Sequence, residues 1–212
     1  MSGAQTSKRI SPKLRKVVER AQAHPEGQFN SLAHLIDVPA LGRVYSRIRK
    51  DAAVGVDGIT KEQFGQNLGE NLQGLHTRLK SKKYRHQPIR RVHIPKGGGK
   101  TRPIGVSTLE DKLVQGAVRD VVEAIYEQDF LDCSFGFRPH RGAHDAVLAF
   151  NRVVRQGTAN WVFEADIVSF FDSIDRKMLM EMVRERIVDG SLLRLIGKCL
   201  RAGVLDQGAM ID

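Results

Sequence analysis

Residues 161–168 have the sequence Trp-Val-Phe-Glu-Ala-Asp-Ile-Val, and this stretch decides the expected fold. Trp161, Phe163, Ala165 and Ile167 fall on one face of an extended chain, because successive side chains of a strand point to opposite faces. The pattern predicts a buried central strand in a chain whose other segments are mostly helical. The expected fold class is therefore α+β.

Asp166 is the unusual residue of this strand, because a lone carboxylate on a buried strand is costly unless its charge is compensated. A salt bridge is one solution and a divalent metal ion is another. Enzymes that transfer phosphoryl groups with two metals hold those ions with several carboxylates. Glu164 shares the face of Asp166 but lies roughly 7 Å along the strand, and Asp172 and Asp175 suit the start of the next helix. The sequence supplies one metal ligand and leaves both interpretations open.

Upstream, residues 89–94 and 101–106 are predicted to form two strands, joined by the glycine-rich turn at 95–100. Pro103 has no N–H group to donate to a ladder, so the second strand is expected at an edge or a bulge. The three segments together predict a β-hairpin with a flexible tip.

The basic residues of the chain are concentrated around this hairpin. Lys and Arg total 34 against 24 Asp and Glu, for a net charge of +10 and a pI near 9.9. Residues 71–109 contain no acid and ten basic residues, namely Arg78, Lys80, Lys82, Lys83, Arg85, Arg90, Arg91, Lys96, Lys100 and Arg102. A block of one sign beside a glycine turn is typical of a phosphate or polyanion site. A solvated basic surface is the alternative.

Spacing excludes two other kinds of site. Gly99-Lys100-Thr101 resembles the end of a P-loop, but that motif needs a glycine where this chain has Ile94, and a helix rather than a strand after it. His140 and His144 form an i, i+4 pair with neither a Glu beside the first His nor a third ligand, which does not indicate zinc.

Composition excludes other classes of protein. The sequence has no run of about 18 apolar residues, as a membrane-spanning helix needs, and its basic first ten residues lack the apolar region of a secretory signal. Pro12 and Glu19 disfavour a mitochondrial presequence. Cys133 and Cys199 lie far apart and are expected to be reduced thiols. We therefore expect a cytoplasmic protein.

Helical spacing of apolar residues predicts most of the remaining structure. The clearest helix covers residues 107–127, where Ser107 with Glu110 and Thr108 with Asp111 both fit a capping box. Further helices are predicted to begin near Ser11, Leu41, Thr60, Gly142, Asp172 and Leu192. The helix near Gly142 is expected to bury Ala143, Ala146, Val147, Phe150 and Val154.

Four blocks of sequence, in this order, resemble the reverse transcriptases of group II introns and their bacterial relatives. They are Gly55-Val-Asp-Gly58, Ile94-Pro-Lys-Gly-Gly-Gly-Lys-Thr-Arg-Pro-Ile-Gly105, Phe135-Gly-Phe-Arg-Pro139 with Gly142-Ala-His-Asp145, and Asp166-Ile-Val-Ser-Phe-Phe-Asp-Ser-Ile174. The resemblance implies an RNA-directed DNA polymerase with the right-hand fold. It further implies an N-terminal extension at 1–30, fingers at 31–155 and the start of an incomplete palm at 156–212.

The resemblance also implies roles for individual residues. Lys96 and Arg102 match the cations that hold the triphosphate of the incoming dNTP. Asp166 and the carbonyl of Ile167 match ligands of Mg²⁺, and Phe171 matches the side chain whose bulk excludes a 2′-OH. Contacts with nucleic acid are expected from Lys100, Arg90, Arg91 and Arg138. The implied partners are an RNA template or intron RNA, a DNA primer and a dNTP, with no membrane.

The sequence departs from the family in its second catalytic motif. A Tyr-Ala-Asp-Asp-like turn is absent, and no two aspartates are adjacent in the 212 residues. We therefore expect the two-metal site to be incomplete in this chain and the isolated chain to be inactive. A non-catalytic RNA-binding module is the alternative function.

Overall fold

A computed structural model describes residues 11–157 and 159–211. In chain order, the elements of this part are α1 (Pro12–Ala23), a 3-10 turn (Ala33–Leu35), α2 (Val38–Arg47), α3 (Lys61–Gln66), α4 (Leu68–Lys80), β1 (Ile89–Pro95), β2 (Thr101–Val106), α5 (Leu109–Tyr126), α6 (Ala143–Arg155), α7 (Phe170–Ser173), α8 (Arg176–Arg186), α9 (Gly190–Leu200), β3 (Val204–Asp206) and β4 (Ala209–Ile211). The fold is α+β, as predicted. None of the described helices is long and apolar enough to cross a membrane.

Helix α5 is the centre of the packing. Its residues Leu113, Val114 and Ile125 are fully buried, and α1 and α2 both pack against it. The helix begins after Thr108, whose hydroxyl accepts a hydrogen bond from the backbone N–H of Asp111 at 3.2 Å. Of the two predicted caps, the structure uses the one at Thr108.

The hydrophobic core draws on both ends of the described chain. Leu14 and Val17 of α1 belong to the same cluster as α5, and so do Ile187 and Leu192 near the start of α9. One core therefore joins side chains from the predicted segments 1–30, 31–155 and 156–212.

The sheet has the strand order β2-β1-β3-β4. β1 pairs with β2 in antiparallel and with β3 in parallel, while β3 and β4 form an antiparallel hairpin. β2, which contains Pro103, lies at an edge of the sheet, as predicted from the missing N–H group. The short strands β3 and β4 were not predicted.

Two predicted helices form with changes in detail. The helix expected from Thr60 is divided at Asn67 into α3 and α4. Helix α8 is capped by Asp175, one of the two aspartates predicted for its start, which accepts hydrogen bonds from the backbone N–H groups of Lys177 and Met178. The other, Asp172, lies in the short helix α7 instead.

The prediction of a buried strand at residues 161–168 is wrong. This segment forms no strand, and its large side chains are exposed, with Trp161 at 93% and Phe163 at 91%. A strand is stable only when a neighbouring strand takes up its backbone N–H and C=O groups. No described residue pairs with this segment, so its apolar alternation produces no sheet.

The inner face expected for α6 is wrong for a related reason. The helix forms where it was predicted, and Gly157 follows it with a φ of 65°, as expected at a helix C-terminus. None of its residues is buried, however. Val147, Phe150 and Val154 are all exposed, because no described element covers them.

Candidate nucleotide and nucleic-acid site

The turn of the β1–β2 hairpin is built by three glycines. Gly97, Gly98 and Gly99 all have positive φ, between 58° and 75°. The backbone N–H of Lys96 donates to the carbonyl of Lys100 at 2.8 Å, and this bond continues the ladder beyond the strand ends. Residues that carry a side chain rarely adopt such φ values, so the three glycines allow the chain to form this tight turn.

The register places three cations on one face of the hairpin. Ile94 lies opposite Arg102, and the next bond outward joins Lys96 to Lys100. Because side chains alternate between faces along each strand, Lys96, Lys100 and Arg102 share a face. All three side chains are exposed and form no ion pair with a described residue. This cationic face is suited to bind phosphate groups.

Arg90 and Arg91, the other predicted nucleic-acid contacts of β1, are engaged within the protein. The guanidinium of Arg90 donates to the carbonyl of Val54 at 2.7 Å, and Arg91 lies 3.5 Å from the carboxylate of Asp206. The bond from Arg90 holds the loop that contains Gly55. A Cβ atom at Gly55 would lie 2.5 Å from the backbone N of Thr108, so only glycine fits there.

Arg138 is also taken up by the protein itself. Its side chain is only 6% exposed and forms an ion pair with Glu127 at 2.8 Å. The same guanidinium donates to the carbonyl oxygens of Leu131 and Ser134 at 2.8 and 3.0 Å. The hydrogen bond to Glu127 raises the pKa of Arg138. The geometry makes Arg138 a clamp for the loop that follows α5.

Asp166, Ile167 and Phe171 lie on an exposed segment. Asp166 has no hydrogen bond or ion pair with another described residue, so the salt bridge considered for it is not formed within residues 11–157 and 159–211. The exposed ring of Phe171 packs edge-on against Phe170, with 5.3 Å between the ring centroids. No described bond joins this segment to the cationic face of the hairpin.

A buried carboxylate, predicted only as part of a helix cap, anchors the hairpin to α5. Asp111 accepts hydrogen bonds from the hydroxyls of Tyr84 and Thr108 at 2.5 and 2.7 Å, and from the backbone N–H of Gln87 at 3.2 Å. Burial raises the pKa of Tyr84, and the bond to Asp111 raises it further, so the hydroxyl remains a donor. These bonds join the chain that enters β1 to the helix that follows β2.

The described residues fit only part of a magnesium site. Carboxylate and carbonyl oxygens are the ligands that Mg²⁺ prefers, and Asp166 and Ile167 supply one of each. Within residues 11–157 and 159–211, however, no three His, Cys, Asp or Glu side chains are grouped so that they could hold a metal ion. A two-metal site needs more carboxylates than this segment provides.

Comparison with known proteins places these features in a family. Residues 94–210 match the family described as Reverse transcriptase (RNA-dependent DNA polymerase). Protein YkfC of Escherichia coli strain K12 is 36% identical over 206 residues, which make up 94% of this chain and 54% of that protein. Group II intron-encoded protein LtrA of Lactococcus lactis subsp. cremoris is 34% identical over 196 residues, which make up 92% of this chain and 32% of that protein.

A yeast protein gives a similar picture. Putative COX1/OXI3 intron 2 protein of Saccharomyces cerevisiae is 32% identical over 174 residues, or 81% of this chain and 20% of that protein. The chain thus spans about half the length of YkfC and about a third of LtrA. The family match covers more than half of the chain and includes the hairpin cations Lys96, Lys100 and Arg102 as well as the segment of Asp166. The chain therefore belongs to the reverse transcriptase (RNA-dependent DNA polymerase) family, and within it to the group II intron type.

Proposed function

We propose that this chain is part of an RNA-directed DNA polymerase and that its hairpin binds the triphosphate of the incoming dNTP. The observation that carries the proposal is the face formed by Lys96, Lys100 and Arg102, within the residues that match the family. Lys96 and Arg102 would contact the triphosphate, and Lys100 would contact the nucleic acid beside it. Three unpaired cations on one face of a hairpin favour a ligand with several adjacent negative charges.

The remaining assignments follow from the family. In the proposed architecture, residues 1–30 form an extension, 31–155 the fingers and 156–212 the start of the palm. Asp166 and the carbonyl of Ile167 would hold Mg²⁺, and Phe171 would exclude a 2′-OH from the sugar pocket. When bound, the metal ions would stabilise the charge of the phosphates during transfer.

Arg90, Arg91 and Arg138 have a different proposed part. Each already donates to a protein oxygen, so each would act by holding the loop or strand that meets the nucleic acid. Direct contact with RNA would require these bonds to break.

We infer that the 212-residue chain alone does not extend a primer, because its described residues bring too few carboxylates together. In isolation it would act as an RNA-binding module, in line with its exposed basic hairpin. Primer extension on poly(rA)/oligo(dT) with Mg²⁺ tests this inference, and the expected result is no product. Measurable extension by the chain alone would contradict it.

Binding of dTTP, measured by titration calorimetry, tests the triphosphate site. Lys96→Gln/Arg102→Gln is expected to weaken binding about tenfold or more, because each cation contributes a charge-assisted hydrogen bond. Lys16→Gln/Arg184→Gln is the matched control, since it also removes one exposed Lys and one exposed Arg that form no ion pair with described residues. Equal losses in the two double variants would mean that net charge alone governs binding, and the hairpin site would be refuted.

A further inference from the structure

A recess of about 480 Å³ is lined by residues outside the hairpin. Its walls come from the 3-10 turn Ala33–Leu35 and the start of α2, the last turn of α4 with the loop after it, and α9. None of the residues that line it belongs to the hairpin at 89–106 or to the segment 161–174. Its volume is in the range of small-molecule and cofactor sites, about 300–1,000 Å³.

The recess is strongly basic. It is lined by four cations, Lys80, Lys82, Arg194 and Lys198. Among the described lining residues, one carboxylate is present, that of Asp37. That carboxylate is already used, since it accepts a bond from Lys13 Nζ at 2.7 Å and another from the backbone N–H of Ala40 at 2.9 Å. The cations of the recess therefore lack a neutralising partner within its walls.

Lys198 carries a charge that is fixed in place. Its ammonium group donates to the carbonyl oxygen of Tyr84 and lies 3.5 Å from that of Lys82. Both acceptors are neutral, so the bonds orient the ammonium group without cancelling its charge. A charge held in this way loses little conformational entropy when an anion binds.

Lys82 occupies a backbone position that usually selects glycine. It follows the C-terminus of α4 with a φ of 62°, in the left-handed region that L-residues disfavour. Non-glycine residues in such disfavoured conformations are concentrated at functional sites of proteins. Here the unfavoured residue places a cation among the lining residues of the recess, which also include Arg194.

Part of the lining of the recess is apolar. Ile36, Leu79 and Leu195 contribute to it, together with the buried Tyr84. A simple phosphate ion would leave this surface in contact with water. A ligand that joins a phosphate to a flat, poorly hydrated group matches both parts of the lining, and a nucleotide is such a ligand.

We propose that this recess is a second binding site for single-stranded RNA, which inserts one nucleotide. The phosphate would lie against Lys82, Arg194 and Lys198, and the base against Leu79 and Leu195. Lys80 and Lys82 belong to the acid-free block at residues 71–109, so the recess extends the basic surface of the chain. The proposal rests on the RNA binding proposed above, but not on the triphosphate site.

Binding of an unstructured RNA 12-mer to the 212-residue chain, followed by fluorescence anisotropy, tests the charges. Lys82→Gln/Arg194→Gln is expected to weaken binding about tenfold and to reduce the slope of log affinity against log salt by at most about 0.7, because the two cations contact the same phosphate. Lys83→Gln/Arg201→Gln removes the same two residue types from neighbouring exposed positions outside the recess, and is expected to change affinity less than about threefold. Equal losses in the two variants would overturn the proposal.

A second variant tests the cavity without changing its charge. Ser191 is exposed at the start of α9 and lines the recess, so Ser191→Trp would fill it. The expected result is at least fivefold weaker binding of the 12-mer, with an unchanged circular dichroism spectrum. Full affinity in Ser191→Trp would show that no nucleotide enters, and would overturn the proposal.

The choice of probe separates the possible sources of the nucleotide. If a single nucleotide is enough to fill the recess, AMP is expected to displace the RNA 12-mer. If the phosphates of neighbouring nucleotides are also needed, AMP is expected not to compete, and the variants should weaken binding of the 12-mer alone. Duplex RNA, whose bases are stacked, is expected to lose little affinity in Lys82→Gln/Arg194→Gln, and an equal loss for the duplex would overturn the insertion of a base. Absence of RNA binding by the unaltered chain would refute both this site and the RNA-binding function. Loss confined to Lys96→Gln/Arg102→Gln would refute this site alone.

Discussion

Helices α5 and α6 have equally regular apolar faces, yet only α5 is covered. Leu113 of α5 is fully buried, whereas Leu148 of α6 is 63% exposed. The difference extends beyond the two helices, because no apolar residue among the described residues 126–185 is buried. We call residues 126–185 the uncovered region, and the residues of the hydrophobic cluster around α5 the core.

Sharing an apolar face and being buried are two different properties of the residues in a helix or strand, and an apolar pattern predicts only the first. Spacing along the chain predicts which residues share a face of a helix or strand. It does not say whether another element lies opposite that face. In the core, α1 and α2 cover α5, and stability follows from that burial. In the uncovered region, the same kind of pattern produces an exposed helix at α6 and no strand at 161–168.

The largest expected change in the free energy of unfolding comes from a leucine-to-alanine substitution in the core, compared with the same substitution in the uncovered region. Leu113→Ala removes a fully buried side chain and is expected to lower the free energy of unfolding by about 3–5 kcal/mol, because it leaves a cavity in the core. Leu148→Ala makes the same chemical change on α6 and is expected to lower it by about 0.5 kcal/mol or less. Urea denaturation followed by circular dichroism measures both. Similar losses in the two variants would mean that α6 is covered in solution.

A smaller loss of unfolding free energy is expected when the buried Asp189 is replaced, and none when the exposed Asp166 is replaced. Asp189 is buried and accepts hydrogen bonds from the backbone N–H groups of Leu32 and Ala33 at 2.6 and 2.8 Å, and also from those at the start of α9. Asp189→Ala is expected to cost about 2–3 kcal/mol of unfolding free energy, because it leaves these groups without a partner. Asp166→Ala is expected to leave the urea midpoint unchanged, since Asp166 is exposed and bonds to no described residue.

The contribution of Asp189 should depend on pH. Burial alone would raise the pKa of its carboxyl, but the four backbone N–H groups outweigh burial and hold the pKa below its usual value. The stabilisation is therefore complete above about pH 3.9, the ordinary value for Asp, and is lost as the pH falls through the lower folded value. The stability difference between the unaltered chain and Asp189→Asn is expected to be constant from pH 7 to 5 and to shrink towards pH 2. A constant difference down to pH 2 would contradict this account.

The parts of the structure that could be predicted from sequence are those that depend on neighbours along the chain. The cap at Thr108, the edge position of Pro103 and the glycine turn at 97–99 follow from local backbone chemistry, and all were confirmed. The exposure of Lys96 and Arg102 beside this turn has the same local origin, whereas their contact with a triphosphate stays a prediction.

The parts that were missed depend on contacts between distant residues. Tyr84 and Asp111 are 27 positions apart and in different elements, so no spacing rule connects them. Arg138 was predicted as a contact for nucleic acid from the block around it, but only the fold reveals the carboxylate of Glu127 beside it. The strand expected at 161–168 failed in the same way, because the sequence could not show whether a partner strand is present.

The smallest expected change in the free energy of unfolding concerns two residues with positive φ, one next to the core and one in the uncovered region. Lys82 has a φ of 62° next to the core, and Phe137 has a φ of 58° in the uncovered region. Lys82→Gly is expected to raise the free energy of unfolding by about 0.5–1 kcal/mol, because glycine adopts this conformation without strain. Lys82→Ala, which keeps the strain, should give no gain. Phe137→Gly is expected to leave the urea midpoint unchanged, since its loop holds no buried apolar residue and can open while the core stays folded. A gain in Phe137→Gly equal to that in Lys82→Gly would show that the uncovered region unfolds together with the core, and the division between the two regions would then apply to burial but not to cooperativity.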